Sequence, residues 1–291
     1  MSSGRPIQFS RREFLGLSLG AVVLAACGSS GGSSANPTSN RLIPLRLSSE
    51  LYATTDRQRF AFGLWQNGKA ASGPAADIGF KGPGGDLIMP VAAQLRSEGL
   101  PANRGVYTAH PVLDTPGTWS AFIRVNNQTL ELPFTVAADA RTPKVGSAAP
   151  RAASPTLTNP LGVDPICTAD PPCPLHTTSL DTVIGTRPVA VLFATPARCQ
   201  SQYCGPVLEE VLAVRGPYAD AIDFVHVEIY ENNQSTRTAP TVQAWGLDSE
   251  PWLFTIRADG TVLGRLDGAF DRSEIRAELD RLVAPGNTSQ R

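Results

Sequence analysis

The spacing of apolar positions divides the chain into two unlike halves. In "RQRFAFGLWQNGK", Phe60, Phe62 and Leu64 fall on alternate positions, and Asn67-Gly68 then supplies a dipeptide suited to a tight hairpin turn. In "GTWSAFIRVNNQTLELPFTV", Trp119, Ala121, Ile123 and Val125 alternate up to Asn126-Asn127, and Leu130, Leu132, Phe134 and Val136 alternate on the way back. A period of two puts such side chains on one face of a strand. Residues 41–137 therefore read as all-β, with short strands between Gly, Pro and Asn turns, the pattern of a small two-sheet sandwich.

The pattern changes from about residue 144. "RPVAVLFAT" is a continuous apolar run, as a strand buried on both faces requires, and "GPVLEEVLAV" after it has helical character. "AIDFVHVEIY" reads as a second buried strand, "TAPTVQAWGL" as a short helix, and "PWLFTIRADGTVLGRLDG" as two strands around Asp259-Gly260. In "DRSEIRAELDRLV", Asp271 is placed to cap a helix and Glu274 to complete a capping box, while Ile275, Leu279 and Leu282 share one face. Proline- and alanine-rich residues 138–165 are the expected linker, and residues 285–291 a short tail. No internal repeat is visible.

The N-terminal 40 residues change the picture of the compartment. Ser10-Arg11-Arg12-Glu13-Phe14-Leu15 resembles a twin-arginine export signal, with Arg11 and Arg12 as its pair. An uncharged run follows over residues 15–26, too short to span a bilayer core that needs about 20 residues as a helix. It ends in Leu24-Ala25-Ala26-Cys27, which is similar to the lipobox of bacterial lipoproteins. That resemblance implies a signal peptide over 1–26, a lipid on Cys27, and a chain anchored at the extracytoplasmic face of the membrane. Residues 27–40, rich in Gly and Ser, then form a flexible tether. A net charge of −1 over 291 residues supplies no basic field of the kind that nucleic acid requires.

Cys27 apart, four cysteines remain as two close pairs, Cys167-x5-Cys173 and Cys199-x4-Cys204. In an exported protein an even number reads as disulfides, and the first pair, in "CTADPPCPLH", reads as a structural clip. His176 completes a Cys-Cys-His set within that segment, and His226 lies in a strand, so a metal role stays open there although a buried structural role is expected of His226. His110, in "VYTAHPVL", reads as a structural strand residue, and nothing in residues 41–137 looks catalytic.

Several motifs in the second half resemble the thioredoxin superfamily. "VGSAAP" is similar to the opening of TlpA-like and peroxiredoxin-like domains, and "VLFATPARC…CGP" to their strand, active-site loop and first helix. "SEPWLFTIRADGTV" is similar to the family strand that begins at a cis-proline, which falls here on Pro251. The resemblance covers residues 144–284 and implies an α/β thioredoxin-like fold there. It also implies thiol–disulfide exchange on exported protein clients, with a membrane redox partner and no cofactor. The first domain resembles immunoglobulin-like sandwiches in architecture, without an inter-sheet cysteine bridge.

The site implied is Cys199, Cys204 and Pro251. Val207 stands where the second cysteine of Cys-Gly-Pro-Cys belongs, so Cys199 must supply the second thiol. Cys204, at a helix N-terminus, gains thiolate character from unsatisfied N–H groups, and Arg198 would favour the Cys199 thiolate. A disulfide needs Cα atoms about 4.4–6.8 Å apart. Residues five apart are about 17 Å apart when extended and ~8–9 Å apart in a helix, so the loop must fold back and the helix start at or after Cys204. Glu250, before the proline, raises a nearby thiol pKa if it faces the site, or else turns to solvent or an arginine. Three other readings stand beside this one: a peroxiredoxin-like peroxidase, a copper-delivery protein, and a redox-inert binding module in which Cys199–Cys204 is a permanent staple. The peroxide-activating arginine of peroxiredoxins would fall on Pro251.

Overall fold

A computed structural model describes residues 41–71, 73–85, 87–102, 104–198 and 204–287. Arg11, Arg12, Cys27 and Cys199 lie outside the described residues, and of Cys204 only the backbone is described. The described residues form one compact unit.

The first eleven strands are β1 (Ile43–Arg46), β2 (Thr54–Arg57), β3 (Phe60–Gln66), β4 (Lys69–Ala70), β5 (Ala76–Lys81), β6 (Leu87–Ala92), β7 (Gln94–Arg96), β8 (Val106–Ala109), β9 (Val112–Leu113), β10 (Gly117–Val125) and β11 (Gln128–Val136). One sheet runs β1-β3-β8-β7 with β4 on β3, a second runs β11-β10-β5-β6, and β2 pairs with β9. Side chains from both sheets share one core, including Phe60, Phe62, Ile78, Phe80, Tyr107, Trp119 and Phe134. Phe60 meets Phe80 edge-on with ring centroids 5.0 Å apart, the arrangement favoured by the ring quadrupoles. The β10–β11 hairpin closes through Asn126 and Asn127 at φ 47° and 60°, a two-residue turn whose twist matches that of its strands.

The second half contains α1 (Leu180–Val183), β12 (Val189–Phe193), α2 (Cys204–Val214), β13 (Asp223–Val227), α3 (Pro240–Ala244), β14 (Trp252–Ile256), β15 (Val262–Asp267) and α4 (Arg272–Val283). Its sheet has the order β13-β12-β14-β15, with β12 parallel to β13 and antiparallel to β14, and β14 antiparallel to β15. All of β12 is buried, which accounts for its unbroken apolar run. Ala190 and Leu192 pack with Val207, Leu208 and Val211 of α2 and with Ile275, Leu279 and Leu282 of α4. Val189, Val191 and Phe193 pack on the opposite face with Trp245 and Phe254.

Much of the expected linker belongs to this second body. Ala148 bridges to Thr261, the Ala149 amide donates to Gly260 O at 2.9 Å, and Ala149 and Val163 are buried in the face that holds Trp245. A segment of Ala and Pro carries few polar side chains to keep hydrated, so it can lie as a strap on an apolar sheet face.

The two bodies are joined by a buried polar seam. Arg59 donates to both oxygens of Glu274, at 2.7 and 2.9 Å, and to the carbonyls of Asp267 and Ala269. Glu50 receives Arg265 at 3.2 Å and the Thr142 hydroxyl at 2.5 Å. Gly268, at φ 68°, lies so close to the sandwich that a Cβ would come within 1.8 Å of Leu47 O. Glu274 is thus turned to Arg59, and only the Asp271 half of the expected capping box forms, with Asp271 accepting from the Glu274 amide at 2.9 Å.

Candidate functional site

Two groups of residues lie behind and beside the loop that follows β12. The first is the predicted thiol site. α2 begins at Cys204, with Pro206 in its first turn, where a missing N–H costs nothing. Val207 is fully buried among Leu192, Leu208 and Leu253, so the position that lacks the signature cysteine faces the core. The Glu250–Pro251 peptide is cis, and Pro251 immediately precedes Trp252, which pairs with Phe193 at the end of β12. Pro251 and the start of the Cys199 loop are therefore at the same end of the sheet.

Glu250 turns neither to solvent nor to an arginine. Its Oε2 accepts from the Thr195 amide at 2.8 Å, and its Oε1 is buried without a hydrogen-bond partner. Burial pushes its carboxyl up to about 7, against the opposing pull of the Thr195 hydrogen bonds. Arg198 donates to the carbonyls of Asn232 at 2.9 Å and Ser235 at 2.8 Å and lies over the Tyr230 ring. Its guanidinium is committed to that loop.

The second group is one that the spacing of the cysteines only half revealed. The segment before α1 lies along β13, the edge strand, and the chain just after it: the His226 amide donates to Leu175 O at 3.0 Å, and the Asp164 amide to Glu231 O at 2.8 Å. It covers backbone groups that an open edge would leave exposed. Val225 and Val227 point to one face of the sheet and His226 to the other, where Cys167 and Cys173 are buried.

Cys167, Cys173, His176 and His226 converge there, with all four donor atoms within 4.8 Å of one another. Cys173 Sγ is 3.3 Å from His176 Nε2 and 3.4 Å from His226 Nδ1. Cys167 Sγ is 3.9 Å from His226 Nδ1, and the two imidazole nitrogens are 3.2 Å apart. The residues are 6, 8, 2 and 0% exposed, in that order, so the cluster is closed to solvent.

The disulfide expected between Cys167 and Cys173 is not formed; both are free thiols, and each sulfur turns to imidazole nitrogen. The Cys173 thiol donates to the Cys167 sulfur, which holds Cys167 below the usual thiol range and Cys173 above it. The Cys173 amide also donates to Cys167 Sγ, at 3.2 Å. His226 Nε2 lies 3.0 Å from Ala194 O, which can only accept, so Nε2 carries the proton and Nδ1 offers a lone pair to the cluster. His226, expected to be a buried structural residue, is the centre of the group; the signal for it was a lone polar residue between two valines of a buried strand.

The two groups touch. The Ala197 amide donates to Thr168 Oγ1 at 3.1 Å, so the cysteine segment supports the loop that leads to Cys199, and the Ile229 amide, just beyond β13, donates to Thr195 Oγ1 at 3.2 Å. His110 is elsewhere. It follows β8, is exposed, and borders a cavity of about 500 Å³ between the two bodies, which Arg59, Arg265 and Glu278 also line. Among the described residues no helix is long and apolar enough to cross a membrane.

No protein-family model matches the chain, and no curated protein matches it. Among solved structures, it is similar to a chain described as a thiol:disulfide interchange protein, DsbE, from Chlorobium tepidum. Identity is 17%, 48% of this chain and 98% of that chain are covered, and the TM-score is 0.36. It is also similar to native E. coli alpha-2-macroglobulin, at 17% identity and TM-score 0.27, over 41% of this chain and 7% of that one.

Proposed function

We propose that the second body is a thioredoxin-like domain that carries out thiol–disulfide exchange on exported proteins through Cys199 and Cys204. The observation that supports this reading best is the start of α2 at Cys204, after the central strand β12 and at the sheet end that carries the cis Glu250–Pro251 peptide. A thiol at a helix N-terminus is biased to the thiolate, the form that attacks disulfide sulfur.

In this reading one cysteine thiolate attacks a client disulfide, expelling a client thiolate and leaving a mixed disulfide. The second thiol attacks the protein-side sulfur, releases the client as a dithiol and leaves Cys199 and Cys204 oxidised. A membrane redox protein then returns the two electrons. In this reading Glu250, whose carboxyl burial pushes up to about 7, is the group that exchanges the proton of the attacking thiol. The first body is an immunoglobulin-like sandwich that holds the exchange domain on its lipid tether. Arg11 and Arg12 direct export, and Cys27 carries the anchor at the extracytoplasmic face.

The test is thiol trapping with mass spectrometry across a graded thiol/disulfide buffer. Cys199 and Cys204 are expected to pass from disulfide to dithiol within the buffer range, and Cys199→Ser to trap a mixed disulfide or abolish exchange. A Cys199–Cys204 bond that stays closed throughout would falsify the proposal and leave a permanent staple.

A further inference from the structure

We infer that Cys167, Cys173, His176 and His226 form a closed tetrahedral site for one Zn²⁺ ion, separate from the Cys199–Cys204 chemistry. Zinc binds Cys sulfur at ~2.3 Å and His nitrogen at ~2.0–2.1 Å, so the edges of its tetrahedron are about 3.3–3.8 Å long. Four edges of the cluster measure 3.2, 3.3, 3.4 and 3.9 Å. These four lie close to the edges of a zinc tetrahedron, and all six pairs lie within 4.8 Å, so the donors need only small shifts to close on one ion.

Charge selects the ion. Two thiolates, two neutral imidazoles and Zn²⁺ sum to zero, which a site buried on every side can hold. A monovalent soft cation would leave a net negative charge in the core, and a hard cation would lack oxygen donors. The chain also orients the ligands. The Ala194 carbonyl fixes the His226 tautomer and aims Nδ1 inward, the second-sphere contact that metal-binding histidines use. His176 Nδ1 has no partner, so the polar contacts that hold this buried ring are those of Nε2 within the cluster. The Cys173 amide supports the Cys167 thiolate.

Binding displaces the protons held by the two sulfurs and forms two Zn–S and two Zn–N bonds. No electron moves, so no oxidant or reductant takes part. With four protein ligands and no open position, the ion is structural. It ties three ligands of one irregular segment to one of β13, directly behind the loop that Ala194 and Ala197 begin. The metal thus holds the floor of the loop leading to Cys199.

The test uses the full chain purified without chelator, its metal measured by plasma mass spectrometry, then stripped and titrated with Zn²⁺ and Co²⁺. One Zn²⁺ per chain is expected, with Co²⁺ giving the intense visible bands of a tetrahedral thiolate complex. Cys167→Ser and His176→Ala should each lose stoichiometric metal, and the double variant Cys199→Ser, Cys204→Ser should keep it. Where a ligand variant does not fold, alkylation of the wild-type chain decides. Cys167 and Cys173 should resist labelling while Zn²⁺ is bound, and both should react once a chelator removes it. A Cys167–Cys173 disulfide in the isolated, metal-free chain would overturn the site, as would metal that survives loss of both residues. Stoichiometric copper with no zinc would overturn the choice of ion. An inert Cys199–Cys204 bond would leave the zinc result standing, and absence of zinc would leave the exchange reading standing.

Discussion

Glu250 has one carboxyl oxygen on the Thr195 amide and the other buried without a partner, so water stabilises its charge poorly. The folded protein keeps this proton up to about pH 7, whereas the unfolded chain releases it near 4.5. Between those values the folded state binds more protons than the unfolded one, so this group makes stability fall as pH rises. Glu228, Glu278 and Asp267, also raised by burial, act in the same direction. The Glu250 share is isolated by comparison with Glu250→Gln. Urea midpoints measured over a pH series should fall less steeply through the region below 7 in the variant; identical slopes would show that Glu250 is not the titrating group. In exchange assays the same substitution should remove an inflection near 7 from the pH profile of thiol reactivity.

At the scale of elements, α4 shows how local and distant signals combine. Asp271 accepts from the Glu274 amide and the Ser273 hydroxyl at its Oδ1, and from the Glu98 amide of the first body at its Oδ2. Asp271→Ala removes the cap and leaves the buried Glu274 amide and the part-buried Glu98 amide unpaired, at a cost of about 1–2 kcal/mol for the cap alone. Chemical denaturation measures it, and a loss within ±0.5 kcal/mol, the range of ordinary surface changes, would rule out the cap as a joint of the two bodies. Asp271 and the face formed by Ile275, Leu279 and Leu282 were legible because cap and period are local properties of sequence. The fate of the Glu274 side chain was not, because its partner Arg59 is 215 residues away. The metal-type cluster divides in the same way. Cys167, Cys173 and His176 lie within ten residues and read as one group, but their spacing also suits a disulfide clip. What distinguishes the two is His226, 50 residues beyond His176, which the strand pairing brings to the cluster. The strap over 148–163 was hidden for a different reason: its Pro/Ala composition is that of a linker, and only an apolar face beneath it makes it part of a core.

For the molecule as a whole, the decisive contact is the one that makes two sequence halves a single body. Arg59 and Glu274 are 7 and 6% exposed at their side chains, and Arg59 also satisfies two carbonyls of the second body. A paired buried charge adds little net stability over an apolar pair of the same shape, but removal of one partner leaves the other uncompensated. Arg59→Ala should therefore cost about 3–5 kcal/mol, whereas Arg59→Met combined with Glu274→Leu should recover most of that loss. The wild-type chain should unfold in one transition followed by both far-UV and tryptophan signals. In Arg59→Ala the seam is weakened while each hydrophobic core is left intact, so the two bodies should separate into two transitions. A single, merely shifted transition would mean that the remaining contacts of Glu50 with Arg265 and of Asp271 with Glu98 hold the bodies together without Arg59. The outcome bears on the proposed function because only a rigid seam makes the position of the first body set the position of α2 and Pro251.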